Sequence, residues 1–173
     1  MEEIFPLVDT SGCVIGRATR SECHNGSMLL HSVIHLHIFN SNGELYLQKR
    51  SATKDIQPNL WDSSVGGHID IGETPMQAAI REAKEELGLT NIEPVYITKH
   101  IIKTVQEQEL AYCFYSVSDN EIKIDMNELS DGRFWTIKEI SDNLGKGIFT
   151  FNFEQDFKLF LSGGINKLKK IIS

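Results

Sequence analysis

Several charged residues with fixed spacing lie near the middle of the sequence. They are Glu73, Arg81, Glu82, Glu85 and Glu86. In a helix, Glu82 would share one edge with Glu85 and Glu86, which follow it three and four residues later. Three carboxylates on one edge repel one another, and Arg81 offsets only part of that repulsion. Because a hard cation prefers carboxylate oxygens, this spacing predicts a binding site for a divalent metal.

The element that must position these carboxylates is a helix with recognisable ends. Thr74 followed by Gln77 is a capping-box pattern, and Pro75 falls where the first helical residue tolerates a missing N–H. Gly88 is a typical residue just beyond a helix C-terminus. The sequence therefore predicts a helix over Pro75–Leu87. The glutamates then lie near the C-terminus of this helix, where the helix dipole also disfavours anions.

The glutamate cluster is part of a longer pattern. Gly67 is followed after five residues by Glu73 and after seven more by Arg81–Leu89, which has the sequence R-E-A-K-E-E-L-G-L. An exposed helix with ordinary salt bridges is the simpler interpretation, but it leaves Gly67 and Glu73 unexplained. The whole pattern resembles the Nudix box of the Nudix hydrolases. The resemblance implies an α+β fold, specifically a Nudix-type α/β/α sandwich with a mixed β-sheet.

The resemblance also implies a role for each charged residue of the box. The cation, Mg²⁺ or Mn²⁺, would be held by the Gly67 carbonyl, Glu82, Glu85 and Glu86. Arg81 and Glu73 would orient this cluster. The general base stays open among Glu85, Glu86 and Glu109. The implied enzyme is a pyrophosphatase that uses water to cleave a phosphoanhydride bond of an organic diphosphate, for example a nucleoside diphosphate derivative.

A second resemblance covers roughly residues 5 to 120 and concerns one branch of the Nudix proteins. Segments such as Gln48–Ser51 and Trp61–His68 are similar to the branch that contains isopentenyl-diphosphate isomerase. In the isomerases, the positions that meet the substrate diphosphate match Arg20, Arg50 and Lys54. The positions that hold a divalent metal match His24, His31, His68, Glu107 and Glu109. Arginine and lysine suit phosphate oxygens, and imidazoles with carboxylates suit a divalent metal. The three histidines are equally compatible with a role as hydrogen-bonded structural histidines.

Two departures from the isomerase pattern favour hydrolysis. Isomerases carry a cysteine that acts on the allylic carbon immediately before the glycine that opens the box, and this chain has Gly66 there. Gly66 has no side chain to transfer a proton. Isomerases also usually lack the acids that match Glu82 and Glu85. An isomerase that uses another acid and a catalytically silent ligand-binding Nudix module are the alternatives.

Length and composition limit the class of protein. The 173 residues fit a single Nudix domain, 1–173, with a helical C-terminal region from about 153. The 17 basic and 24 acidic residues give a net charge of −7, which argues against a nucleic-acid partner. The odd number of widely spaced cysteines, Cys13, Cys23 and Cys113, favours reduced thiols in a cytoplasmic protein. Neither a signal peptide nor a membrane-spanning segment is expected. The family resemblance implies a small diphosphate substrate as the partner.

The remaining elements follow from residue patterning. Alternating and β-branched runs predict strands at Cys13–Ala18, Ser32–Phe39, Glu44–Lys49, Val95–Val105 and Leu110–Val117. Further helices are expected at Ile137–Asn143, Glu154–Leu161 and Ile165–Ile171, with Gly163-Gly164 interrupting the last two. His35 and His37 alternate along a predicted strand, so they are interpreted as sheet residues and excluded as metal ligands.

Overall fold

The computed structural model describes residues 2–54, 56–126 and 129–172, with side chains as far as residue 162. Within these residues, the strands are β1 (Ile4–Val8), β2 (Val14–Thr19), β3 (Leu30–Phe39), β4 (Leu45–Arg50), β5 (Trp61–Asp62), β6 (Val65–His68), β7 (Val95–Lys103), β8 (Gln108–Val117) and β9 (Leu129–Trp135). The helices are α1 (Arg20–Cys23), α2 (Pro75–Leu87), α3 (Ile137–Asn143) and α4 (Phe151–Ile172).

The sheet is built around β3. Strand β8 runs parallel to β3 along its whole length, with His31 opposite Glu109 and His35 opposite Cys113. Strand β6 pairs antiparallel with β3, which places His68 opposite Val33. Strands β1 and β4 pair with the two ends of β3. The sheet is therefore mixed, and the predicted α+β fold is confirmed.

Alternation along β3 separates two apolar layers. Its even-numbered residues Ile34, Leu36 and Ile38 pack against small residues of α2, such as Ala79 and Ala83. On the other face, aromatic residues of α4 form a second core with the end of the sheet; they are Phe153, Phe157 and Phe160. Helices thus cover both faces of the sheet. The odd-numbered residues of β3 lie on the α4 side, and several of them are polar where the aromatic core ends.

Most predicted elements are present. Helices α2 and α3 have the predicted bounds, and α2 begins with the expected Thr74–Gln77 capping box and ends at Gly88, which has a φ of 67°. All five predicted strands are present with their ends shifted by no more than two residues. Five elements were not predicted, namely β1, β5, β6, β9 and α1, which are short or contain proline or glycine.

One prediction was wrong. The terminal region was expected to break at Gly163-Gly164, but α4 is continuous from Phe151 to Ile172. Glycine permits a helix break without requiring one, since each glycine costs a helix only about 1 kcal/mol relative to alanine. No helix in the part of the chain that the structure describes combines the length and apolar character needed to cross a membrane.

Candidate active site

A polar cleft of about 600 Å³ brings together most of the residues that the sequence singled out as site residues; Glu73 and His31 do not line it. Its walls include Arg20, Arg50, Lys54, Gly67, Arg81, Glu82, Glu85, Glu86 and Glu109. These residues come from α1, β4, β6, α2 and β8 and from the loop after β4. The fold therefore places the box carboxylates, the basic residues and the candidate base around one space.

Arg81 connects three parts of the box. Its Nε and Nη2 atoms donate to the two carboxylate oxygens of Glu73 at 2.9 and 2.8 Å, and Nη2 also donates to the His68 carbonyl at 3.0 Å. Its Nη1 atom donates to Glu82 at 2.6 Å and to Glu85 at 3.3 Å. The bidentate pair lowers the pKa of Glu73. Arg81 thus ties the loop before α2, strand β6 and the acidic helix edge into one arrangement.

Gly67 allows the close approach of α2 to β6. A Cβ atom placed on Gly67 would lie 2.2 Å from Glu82 Oε1, far inside van der Waals contact. The neighbouring Gly66 is under no such constraint, because the nearest atoms to an added Cβ, on Ile34 and His35, are 3.9 Å away. The glycine that opens the box is therefore required by the position of the Glu82 carboxylate.

The acidic edge is poised for a cation. Burial, and then the charge of Glu82, raise the pKa of Glu86 to about 8, although Glu86 keeps part of its surface in the cleft. Burial also raises the pKa of Glu82. Glu85 is more exposed, with 59% of its side chain accessible. The raised pKa values indicate that negative charge on Glu82 and Glu86 is unfavourable without a counter-ion. A divalent cation, which prefers oxygen ligands, would supply that counter-ion.

The histidines that the sequence left open form a compact group beside this edge. His24, His31 and His68 present ring nitrogens within 4.8 Å of one another, and His31 forms a second such group with Glu107 and Glu109. Burial lowers the pKa of both His31 and His68, so these rings are neutral near pH 7.

Two of these ring nitrogens lack an internal partner. Among the described residues, the buried Nε2 atoms of His31 and His68 have no hydrogen-bond partner. His24 Nε2, by contrast, lies 3.1 Å from the Glu107 carboxylate. A structural role based on satisfied hydrogen bonds therefore does not account for His31 and His68, and the donor types suit a divalent metal.

Glu109 was predicted as a candidate general base, but its contact with α4 was not predicted. Its side chain is 6% exposed, and its carboxylate accepts a 2.7 Å hydrogen bond from Asn152 Nδ2 on α4. Burial, followed by the charge of Glu107, raises the pKa of Glu109 to about 8. Asn152 was not predicted, because nothing in the local sequence of α4 indicates that its first turn reaches β8.

The basic residues lie on another wall of the cleft. Arg20 pairs with Glu3 at 2.9 Å, and Arg50 pairs with Asp62 at 3.2 Å. Asp62, also missed from the sequence, accepts a 2.8 Å hydrogen bond from the Thr150 hydroxyl just before α4. These pairs hold two guanidinium groups at the cleft, where planar donors suit phosphate oxygens.

The fold is a mixed β-sheet between helices, in which a capped acidic helix packs against a glycine-bearing strand. The model of the family described as NUDIX domain matches residues 28–153. Because this match covers more than half of the chain, the protein belongs to the Nudix family.

Individual relatives are consistent with this assignment. An uncharacterized Nudix hydrolase of Nostoc sp. is 44% identical over 87 residues, which are 50% of this chain and 52% of that protein, so the chain matches about half of that relative. An isopentenyl-diphosphate Delta-isomerase of Streptomyces griseus is 30% identical over 158 residues, 85% of this chain and 78% of the isomerase. The predicted family and branch are thereby confirmed.

A solved structure shows the same fold. The crystal structure of DR0079 from Deinococcus radiodurans matches with a TM-score of 0.77 at 24% identity, covering 90% of this chain and 98% of that chain. The predicted Nudix fold is confirmed by this similarity.

Proposed function

We propose that this protein is a cytoplasmic pyrophosphatase that requires Mg²⁺ or Mn²⁺ and hydrolyses a phosphoanhydride bond of an organic diphosphate. The observation that carries the proposal is the packing of Glu82 and Glu86 against β6, in the same cleft as Arg20 and Arg50. This arrangement supplies sites for a cation and for a diphosphate within one space. A cleft of about 600 Å³ is large enough for a nucleoside diphosphate derivative, which is the substrate class we favour.

The acidic edge of α2 would hold the metal. Its ligands would be Glu82, Glu85, Glu86 and the Gly67 carbonyl. When bound, a divalent cation supplies positive charge against the phosphate oxygens and increases the acidity of water. Arg81 keeps Glu82 and Glu85 oriented through its hydrogen bonds. Neutralisation of Glu86 by protonation competes with metal binding, since its pKa is raised to about 8.

The remaining residues would bind the substrate and accept a proton. Arg20, Arg50 and Lys54 would contact the diphosphate oxygens and fix its position. Glu109 would act as general base, because its pKa of about 8 matches proton transfer near neutral pH and Asn152 holds one of its oxygens at 2.7 Å. Glu85 and Glu86 are the other candidate bases, but as metal ligands their lone pairs would be engaged.

A second function is favoured by one specific observation. His24, His31, His68, Glu107 and Glu109 are assembled as the isomerase resemblance implies, although Gly66 supplies no acid. A residual isomerase would need another group to protonate the prenyl carbon. We propose hydrolysis as the main activity, because the complete acidic edge supports it and the missing side chain at Gly66 opposes isomerisation.

The two functions are separated by measuring both reactions on one preparation. Phosphate release would be followed for nucleoside diphosphates, their sugar and alcohol esters and prenyl diphosphates, with Mg²⁺ and Mn²⁺ tested separately. Isotope exchange from deuterated water into isopentenyl diphosphate would report isomerisation. We expect metal-dependent phosphate release and no useful exchange. Robust exchange without phosphate release from any diphosphate would overturn the hydrolase proposal.

A further inference from the structure

A second group of metal-binding residue types is buried behind the cleft, under α4. It consists of His35 and His37 on β3, His100 on β7, Cys113 on β8 and Asp156 on α4. His35 also lines the cleft, but none of these residues belongs to the box or to the histidine group of the cleft. The sequence excluded His35 and His37 as metal ligands because it could not show which residues lie beside them. His35, Cys113 and Asp156 are buried, and their potential ligand atoms all lie within 4.8 Å of one another. We call these three residues the α4 cluster.

The Asp156 carboxylate is the centre of this group. His35 Nδ1 lies 2.7 Å from one of its oxygens, and His100 Nε2 lies 2.7 Å from the other. Cys113 Sγ is 3.6 Å from the oxygen that His100 contacts. The pairing of β3 with β8 places His35 directly opposite Cys113, so the sheet and α4 together bring nitrogen, sulfur and oxygen donors to one point.

Hydrogen bonding inside the protein leaves part of this group unsatisfied. His37 is fully buried, and neither of its ring nitrogens has a hydrogen-bond partner among the described residues. Its Nε2 atom is nevertheless 3.3 Å from Asp156, so the ring is directed at the same carboxylate. Buried polar atoms without partners are rare in folded proteins, so hydrogen bonds within the chain do not fully account for the polar residues around Asp156.

We propose that the α4 cluster is a buried site for Zn²⁺, in which His35, Cys113 and Asp156 are the protein ligands. A set of imidazole, thiolate and carboxylate suits zinc and differs from the all-oxygen set that suits Mg²⁺. His100 contacts the same carboxylate from outside the ligand set and would hold Asp156 in place.

The charges balance when Zn²⁺ enters the site. Zn²⁺ would bind a neutral His35 imidazole, the Cys113 thiolate and the Asp156 carboxylate, and the protons that these ligands carried would be released to solvent. Two positive charges then meet one thiolate and one carboxylate, and the buried site is neutral.

The distances require a small rearrangement. Tetrahedral zinc with bonds of about 2.0–2.1 Å to nitrogen or oxygen and about 2.3 Å to sulfur separates its ligands by roughly 3.3–3.6 Å. The 3.6 Å between Cys113 and Asp156 already fits this range. The 2.7 Å separation of Asp156 from His35 is a hydrogen-bond distance and would open by about 0.6 Å once the proton between the two side chains has left.

Such a site would fix α4 to β3 and β8. Asn152 lies one helical turn before Asp156 and holds Glu109. The proposed zinc would therefore help to position the candidate base without touching the substrate. Because the ligands do not include any residue of the box, this inference stands whether or not the proposed hydrolase activity is found.

Cobalt spectroscopy tests the inference, because Co²⁺ bound to a thiolate gives a charge-transfer band in the near ultraviolet. The full chain would be freed of metal, loaded with one equivalent of Co²⁺ and compared with two cysteine variants. Cys113→Ser should lose the band at least tenfold. Cys23→Ser is the matched control, since Cys23 is also buried but lies outside the α4 cluster, and it should keep the band. No band in the wild type, or an equal band in Cys113→Ser, would overturn the proposal.

A measurement on the unmodified protein covers the case in which Cys113→Ser does not fold. X-ray absorption of the wild type loaded with one equivalent of Zn²⁺ reports the ligand elements directly. One sulfur at about 2.3 Å with three nitrogen or oxygen ligands supports the α4 cluster. A first shell of nitrogen and oxygen alone overturns it, and indicates that zinc prefers the histidines of the cleft.

Discussion

Two adjacent glycines in β6 have different reasons to be glycine. Gly67 has no room for a side chain because the Glu82 carboxylate occupies that space, whereas Gly66 has ordinary van der Waals room around it. The absence of a side chain at Gly66 is therefore not imposed by packing. It removes the proton donor that the isomerase resemblance places there, although a Cβ atom would fit at this position.

The glycine pair provides a matched test. Gly67→Ala should displace the Glu82 side chain and lower metal-dependent turnover by roughly 10²-fold, because a metal ligand would be moved. The fold should survive, since the clash is with a side chain that can rotate. Gly66→Ala is the control and should change turnover less than about threefold. Equal losses in both variants, measured as kcat at saturating metal, would contradict this account of Gly67.

Glu86 provides a second test at the residue level. Glu86→Gln keeps the side-chain shape but removes one charge from the acidic edge, so we expect a loss of turnover of roughly 10²-fold or more. Glu85→Gln should behave similarly. Glu121→Gln, an exposed glutamate outside the cleft, is the control and should remain fully active. Undiminished activity in the Glu85 and Glu86 variants would refute their assignment as metal ligands.

The same residue predicts a pH effect on stability in the metal-free protein. The pKa of Glu86 is raised from 4.5 to about 8 on folding, so between these values the folded state holds a proton that the unfolded state has lost. Stability should therefore fall as pH rises through this window. With excess chelator, Glu86→Gln should have a higher melting temperature than wild type at pH 8 and a smaller difference at pH 5. Parallel melting curves at both pH values would count against the raised pKa.

At the level of elements, α4 connects the second core to the cleft. Its aromatic residues pack under the sheet, while Asn152 in its first turn reaches Glu109. Asp156 follows on the same face and contacts His35 and His100. The helix thus contributes to the site without carrying any residue that resembles the Nudix box.

Asn152 is predicted to act as a positioning residue. Asn152→Ala removes the donor to Glu109, so the carboxylate should lose its fixed orientation and kcat should fall by about tenfold. Because that hydrogen bond favours the charged form of Glu109, the acidic limb of the kcat profile should also move to higher pH. Lys158→Ala, an exposed change on the same helix, is the control. A fall in kcat with no movement of the pH profile would indicate a purely structural effect.

The elements that were predicted correctly are those whose signals are local. The bounds of α2 and α3 follow from capping boxes at Thr74 and Thr136, and the acidic edge follows from helical spacing alone. Strand β6 escaped prediction because glycine is rare in strands, and its pairing with β3 depends on residues far away in sequence. Asn152 and Asp62 could not be found for the same reason, since each acts through a contact with a distant element.

For the whole molecule, the cleft shares the acidic character of the chain. The chain carries a net charge of −7, and acidic residues outnumber basic ones among the residues that line the cleft. A bound cation would reverse the local sign around Glu82 and Glu86, so that a diphosphate could approach an otherwise acidic protein.

Metal should therefore stabilise the folded protein. A cation that binds the assembled cleft and not the unfolded chain contributes about 2.7 kcal/mol at a concentration one hundred times its dissociation constant. We expect saturating Mg²⁺ or Mn²⁺ to raise the melting temperature by several degrees. The rise should shrink in a variant with Glu82, Glu85 and Glu86 all changed to Gln. An equal rise in that variant would place the cation elsewhere, with the histidines of the cleft as the first alternative.

The parallel pairing of β3 with β8 also has a consequence for how the protein is made. His31 and Glu109 are neighbours in the sheet but are seventy-eight residues apart along the chain. Contacts of such long sequence separation slow folding, because a large loop must close before the pairing contributes stability. During synthesis, the amino-terminal half has the complete Nudix box yet lacks the strand and helix that complete its cleft. A nascent chain should therefore acquire activity only after α4 has left the ribosome.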